Sequence, residues 1–359
     1  MPRHRILFAV LVAIVLISMS SLLSVRSSVA EGNVTPSWPG GLVIDHACIN
    51  QEMIPIEWID AAQDNVIIHY AHTSHGGQIT AGLSLLESTN ATFDVSIGYL
   101  TLPTDEGALC ILDGNPPESY ITPDLYWQGV SALELTQGTI DANPSLTVSL
   151  WSWCTQVDSY SEEQVQEYLD AMSSLEDDNP NVTFIYMTGN AQAGGSSGYN
   201  RWLRNEQIRQ YCIANEKILF DFADLDCWSN GNHSTYDYTV GEDTIHIPIE
   251  HEDFNGDEAA HTTYTSCEQK GRAFWWMVAM LAGWNAPDIT TTTTATTTTS
   301  TTTTTTTTTS KTTTTSSSTT TTGTELTTDQ LFLDDVVVFV AVAGVVLLVL
   351  YAGVRKYYG

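Results

Sequence analysis

The densest reactive chemistry in the chain lies in one segment, His69-Tyr-Ala-His-Thr-Ser-His-Gly-Gly77. A serine at a sharp turn from an apolar strand into a helix exposes its hydroxyl at the helix N-terminus, where unpaired backbone N–H groups can receive a developing oxyanion. Ser74 is therefore a candidate nucleophile, with Gly76 and Gly77 permitting close approach. The same serine would equally serve as the N-cap of the helix. A serine nucleophile needs a base held by a carboxylate, and His261 follows an acidic stretch containing Glu252, Asp253, Asp257 and Glu258.

Other clusters carry less. His69, His72 and His75 are spaced by three, but a strand-to-helix turn does not keep three such residues on one face, so no metal site is expected. Asp253, Asn255 and Asp257 alternate like the start of a calcium loop, without its sixth-position glycine or closing glutamate. Trp151, Trp153, Trp275 and Trp276 could line a sugar site; on a strand and a closing helix they are expected in the core.

The elements that must position these residues alternate strand and helix between about Trp38 and Trp284. Short apolar runs at Val66–Tyr70, Leu146–Trp153, Val182–Met187 and Ile218–Phe222 read as strands. Ile79, Leu83 and Leu86 recur at helical spacing after the first run. Ser161 and Gln164 form a capping box ahead of Val165, Tyr168, Leu169 and Met172 on one face. A helix is expected from about Asn200 to Ala214. A second capping box, Ser266 with Gln269, opens a last helix that Gly283 ends. Strands that are apolar rather than alternating imply a parallel sheet covered on both faces, with ligands beyond its carboxyl ends. The turn-rich segment from Thr92 to Ser131 is expected to hold one parallel strand near Val95–Leu100.

This order, together with HTSHGG, WSWCTQ, the RN-x-x-IR-x-YC segment with LFDFAD, and CEQKGRAFWW, resembles the SGNH (GDSL-like) hydrolase superfamily of serine esterases over about Asn65 to Trp284. The resemblance implies an α/β fold, a three-layer α/β/α sandwich with a mainly parallel, flavodoxin-like sheet. It also implies a Ser-His-acid mechanism without a cofactor. Ser74 would be the nucleophile and His261 the base, while Glu258, at the family's acid position, or Asp257 beside it would hold the imidazole. Gln156 and Asn190 stand nearest to the family's oxyanion-hole amide, and Gly98, Gly107 or Gly114 to its glycine. Departures are plain: Ser74 follows His72-Thr73 rather than Gly-Asp, and Trp153-Cys-Thr-Gln156 replaces the family's GxND segment.

The ends of the chain suggest a surface address. Arg3 and Arg5 precede an apolar stretch that leads to Ser28-Val29-Ala30, so residues 1–30 read as a signal peptide or, uncleaved, as a second anchor. Residues 31–288 form the expected extracellular domain. Residues 289–328 form a Thr/Ser-rich stalk too polar to bury a core. Val336–Val354 is uncharged and long enough to span a membrane, with Arg355 and Lys356 in a cytoplasmic tail, 355–359. The formal net charge of −30, from 42 acidic against 12 basic residues, excludes nucleic acid or an anionic membrane surface as the expected partner. Sequons at Asn33, Asn90, Asn181 and Asn232 and an even set of six cysteines, for which disulfides are expected, fit the same compartment.

Two functions are expected from this reading. One is a membrane-anchored serine esterase acting on an ester, plausibly an acylated surface glycan. The alternative is a catalytically inactive glycan-binding or adhesion module on the same fold.

Overall fold

The computed structural model describes residues 41–287. The expected signal peptide, stalk, transmembrane segment and tail lie outside the described residues. Among the described residues no helix is long and apolar enough to cross a membrane.

Seven strands form one wholly parallel sheet: β1 (Val43–Ile44), β2 (Ile68–His72), β3 (Val95–Tyr99), β4 (Leu109–Asp113), β5 (Val148–Ser152), β6 (Thr183–Met187) and β7 (Ile218–Phe220). Their order across the sheet is β1-β7-β6-β5-β2-β4-β3. The inner run β4-β2-β5-β6-β7 has flavodoxin-like order, and β1 and β3 extend its two edges. Every residue of β4 and β5 is buried, as a strand covered on both faces requires.

The covering helices are α1 (Ile56–Asn65), α2 (Gly77–Thr89), α3 (Val130–Ala142), α4 (Glu162–Asp178), α5 (Gly195–Ala214), α6 (Phe222–Cys227) and α7 (Tyr264–Leu281). Helices α1, α2 and α7 pack together, and α3, α4 and α5 form a second group, giving the three-layer α/β/α architecture. The α2–α7 contact is backbone to backbone. A Cβ on Gly82 would fall 1.9 Å from the Cys267 carbonyl oxygen, and one on Gly271 2.7 Å from the Gly82 carbonyl carbon. This crossing brings the loop that precedes α7 next to the start of α2.

Trp151, Trp153, Trp275 and Trp276 are at most 1% exposed, which places them in the core and not in a sugar site. Trp151 packs edge-on with Trp127 and Trp153, and Trp153 edge-on with Tyr168, pairs worth about 0.5–1.5 kcal/mol each beyond their area.

Several boundaries differ from the sequence reading. The first strand begins two residues later, at Ile68, and runs to His72. Strand β4 was hidden in the turn-rich segment. Helix α5 starts at Gly195 rather than near Asn200, because Gly194 supplies the extended N-cap. Helix α7 is capped by Thr263, whose hydroxyl accepts from the Ser266 amide, while Gln269 instead donates to the carbonyls of Leu225 and Trp228. The Ser161–Gln164 capping box is formed. Two short hairpins, β8 (Trp228–Ser229) with β9 (Asn232–His233) and β10 (Thr235–Val240) with β11 (Asp243–Pro248), were not anticipated.

Candidate active site

Chain direction across the sheet reverses between β2 and β5: β2 leads to β3 and β4 on one side, and β5 leads to β6 and β7 on the other. In open parallel sheets this switch opens a crevice at the strand carboxyl ends. The residues leaving β2 and β5 meet there.

After β2 the chain turns through Thr73 into a 3-10 turn, Ser74–Gly76, that merges with α2. The tightness of the turn requires Gly76: a Cβ there would lie 2.3 Å from the His72 Cβ, and the Gly76 carbonyl accepts a 2.8 Å bond from the Tyr70 hydroxyl. The turn buries His75 and aims its ring at the end of β5. There the Cys154 Sγ lies 2.9 Å from His75 Nδ1 and 3.3 Å from the Ser74 Oγ.

The Cys154 backbone is braced from both sides. Its N–H donates to Gln156 Oε1 at 2.7 Å, and its carbonyl accepts from Asn190 Nδ2 at 2.8 Å. The two amides expected at an oxyanion thus orient the cysteine, although Gln156 keeps its Nε2 without a partner among the described residues. On the far side of the imidazole, His75 Nε2 lies 2.8 Å from Gln192 Oε1. Gln192 donates its amide hydrogens to the His261 carbonyl at 2.7 Å and to Glu250 Oε1 at 3.1 Å.

Electrostatics follow from these contacts. Burial pushes the Cys154 thiol up, but the His75 hydrogen bond, the Ser74 hydroxyl, the His75 charge and the His75 backbone N–H together bring it down to about 6. Desolvation disfavours a charged His75, yet the bonds to Cys154 and Gln192 outweigh it and raise its pKa. Both shifts favour the charged pair, a thiolate facing an imidazolium beside the Ser74 turn, the setting in which cysteine is a strong nucleophile. No comparable downward pull acts on the remaining thiols. Burial raises Cys48 to about 12 and Cys267 to about 11, and it raises Cys110, Cys212 and Cys227 as well. All six cysteine side chains are buried.

The residues expected from the sequence occupy the same region with different contacts. Ser74 is half-buried, and its hydroxyl bonds to the Cys154 sulfur; no hydrogen bond joins it to His261 among the described residues. The His261 ring is largely exposed and lies over the His75 ring at a centroid distance of 4.9 Å. Its Nδ1 is 4.0 Å from the carboxylate of Asp257, a side chain 90% exposed. Glu258 accepts from the Tyr264 backbone N–H at 2.7 Å, capping α7 rather than holding the imidazole.

Among the glycines weighed for the oxyanion, Gly98 lies within edge strand β3, Gly107 before β4, and Gly114 directly after β4 with φ +109°. His69, His72 and His75 turn to three different partners: His69 to Ser149 and the Gly114 carbonyl, His72 to the Thr73 carbonyl and Asp113, His75 to Cys154 and Gln192. Asp45, His46 and Asp224 are the group whose ligand atoms lie within 4.8 Å of one another, at the β1–β7 edge, and His46 already contacts Asp224 at 2.5 Å while stacking on Trp228.

Cys154, Gln192 and Glu250 were not singled out as site residues by the sequence. One signal was available: Cys154 sits two residues beyond an apolar strand, in the polar segment that follows it. No protein-family model matches this chain, and no curated protein matches it significantly.

Proposed function

We propose that the chain is a hydrolase of ester or thioester bonds with SGNH-like architecture, working through a covalent acyl-enzyme on Cys154. The observation that carries this reading is the 2.9 Å contact between the Cys154 sulfur and His75 Nδ1 at the switch point of the sheet.

The Cys154 thiolate attacks the carbonyl carbon, forming a C–S bond and placing charge on the oxygen. The Ser74 backbone N–H at the start of the turn and Gln156 Nε2 are the donors that would receive that charge. Collapse breaks the C–O bond, and His75 gives its proton to the leaving alcohol. Neutral His75 then takes a proton from water as the hydroxyl attacks the thioester. The acid departs, and the thiolate and imidazolium are restored. Gln192 holds the imidazole. No step needs a cofactor. An acylated glycan at the cell surface remains the proposed substrate class, in keeping with the expected stalk and anchor.

Ser74 provides the second reading, because its hydroxyl, 3.3 Å from the same sulfur, occupies the same crevice. A probe pair separates them. Iodoacetamide at limiting amount should label Cys154 and abolish hydrolysis of an aryl acetate, with activity rising as pH climbs through about 6, the direction in which the thiolate forms. Labelling of Ser74 by a fluorophosphonate, with activity surviving Cys154→Ala, would hand the role to the serine. A folded domain that reacts with neither probe and hydrolyses no ester above the Cys154→Ala background would be the inactive glycan-binding module.

A further inference from the structure

We infer that Glu250 is a positioning residue for this thiolate chemistry: together with the His261 carbonyl it locks the Gln192 amide so that its oxygen faces His75. The inference rests on the reading above.

A glutamine amide has nearly the same shape in its two flipped orientations, and only its hydrogen-bond partners choose between them. Here both amide hydrogens are committed to acceptors, one to Glu250 Oε1 at 3.1 Å and one to the His261 carbonyl at 2.7 Å. The His261 carbonyl cannot donate in exchange, whatever the charge on Glu250. Gln192 Oε1 is left with a single partner, His75 Nε2 at 2.8 Å, and that nitrogen must carry its proton. Nδ1 is then the atom turned to sulfur, and an imidazolium can donate on both sides at once. With the amide flipped, an NH2 group would confront Nε2–H, and the charged imidazole would lose its support.

The lock is itself held. Glu250 donates its backbone N–H to the Ala191 carbonyl at 2.9 Å, one residue from Gln192. Its carboxylate faces the Thr262 hydroxyl at 3.2 Å and, from α6 and α7, the fields of Asp226 and Lys270. Burial, followed by the Asp226 charge, raises its pKa to about 7, yet either protonation state keeps a carbonyl oxygen for Gln192.

The other acceptor comes from a two-residue turn in which Ala260 and His261 both take left-handed conformations, φ +47° and +71°. Gln78 Nε2 holds the Ala260 carbonyl at 2.8 Å, so each strained residue offers its carbonyl to a side-chain amide. Strain that persists at such a turn is held by these bonds.

The test reads the ionisation of Cys154 directly, without any substrate. The rate of Cys154 alkylation by iodoacetamide, mapped by peptide mass spectrometry between about pH 5 and 10, should show a midpoint near 6 in the unaltered domain. In Glu250→Ala and in Gln192→Leu the midpoint should rise by about one unit or more, which slows the reaction at pH 6 about fivefold for the first unit. Glu250→Gln keeps an acceptor oxygen and should stay within about half a unit of the unaltered protein.

Thermal melting shows which variants are folded, and Glu250→Asp, too short to reach Gln192, replaces Glu250→Ala if that variant is not. An unshifted midpoint in folded Glu250→Ala or Glu250→Asp overturns the positioning role and leaves the nucleophile standing. A midpoint near 9 in the unaltered protein overturns the thiolate reading itself.

Discussion

At the carboxyl ends of β2 and β5 the site is made of side chains that are buried and hydrogen-bonded, whereas the loop from His251 to Thr263, facing them, offers mainly backbone carbonyls. His75 is 3% exposed and Cys154 9%, each with at least two partners in the crevice. In the loop, His261 and Asp257 are exposed, Glu258 caps a helix, and His261 meets the site through its carbonyl, which accepts from Gln192, and through its ring, which rests on His75. The difference shows what each element is suited to. A strand end next to a helix N-terminus fixes a side chain by packing and tunes it by local dipoles. A loop anchored at a few points positions its own main chain most reliably.

The most severe challenge to this contrast is to exchange the histidines. His75→Ala should lower kcat/KM for an aryl ester by about 10³-fold or more, and Cys154→Ala by as much, because members of a catalytic unit fail together. His261→Ala should change it by no more than about 10-fold, since the variant keeps the carbonyl that Gln192 uses. Steady-state kinetics on the purified domain decide the matter. Equal losses at His75 and His261 would erase the distinction between the two halves.

A smaller effect concerns what anchors the halves to each other. Lys270 and Asp226 form an ion pair at 2.7 Å with both side chains at most 1% exposed, and Asp226 also accepts from the Ala191 N–H beside Gln192. Removing one partner leaves a buried charge uncompensated. Lys270→Met should therefore cost about 3–5 kcal/mol in urea unfolding. A loss below about 1 kcal/mol would mean that the loop after β6 is held by other contacts.

The smallest effect sharpens the account of the strained turn. His261→Gly relieves a left-handed residue while retaining the carbonyl, so it should stabilise the domain by about 1 kcal/mol with activity within the range given for His261→Ala. Destabilisation by that variant, read from the same urea curves, would show that the imidazole packs on His75 to real advantage.

How much of this was legible depends on how local each signal is. The runs that became β2, β5, β6 and β7 are mainly apolar, without a regular polar alternation, as burial on both faces of a parallel sheet demands. Strand β4 escaped because turn residues surround Leu109–Asp113 on both sides. The last capping box was assigned to Ser266 because serine followed by glutamine three residues later fits the pattern. Thr263 caps the helix, and Gln269 has tertiary partners to satisfy. Ser74 and His261 stand out by residue type and position in the chain. Cys154, between them in the chain, carries no local mark that separates it from the other five cysteines beyond its place after an apolar strand.

The sequence by itself determined the alternation of strand and helix, the parallel sheet, and the edge of that sheet at which the reactive residues collect, because periodicity and apolar run length act over a few neighbouring residues. Only the tertiary structure decided which of those residues meet. Cys154 is separated from His75 by 79 positions, His75 from Gln192 by 117, and Gln192 from Glu250 by 58, and no local pattern encodes a contact that exists only once the strands are ordered side by side.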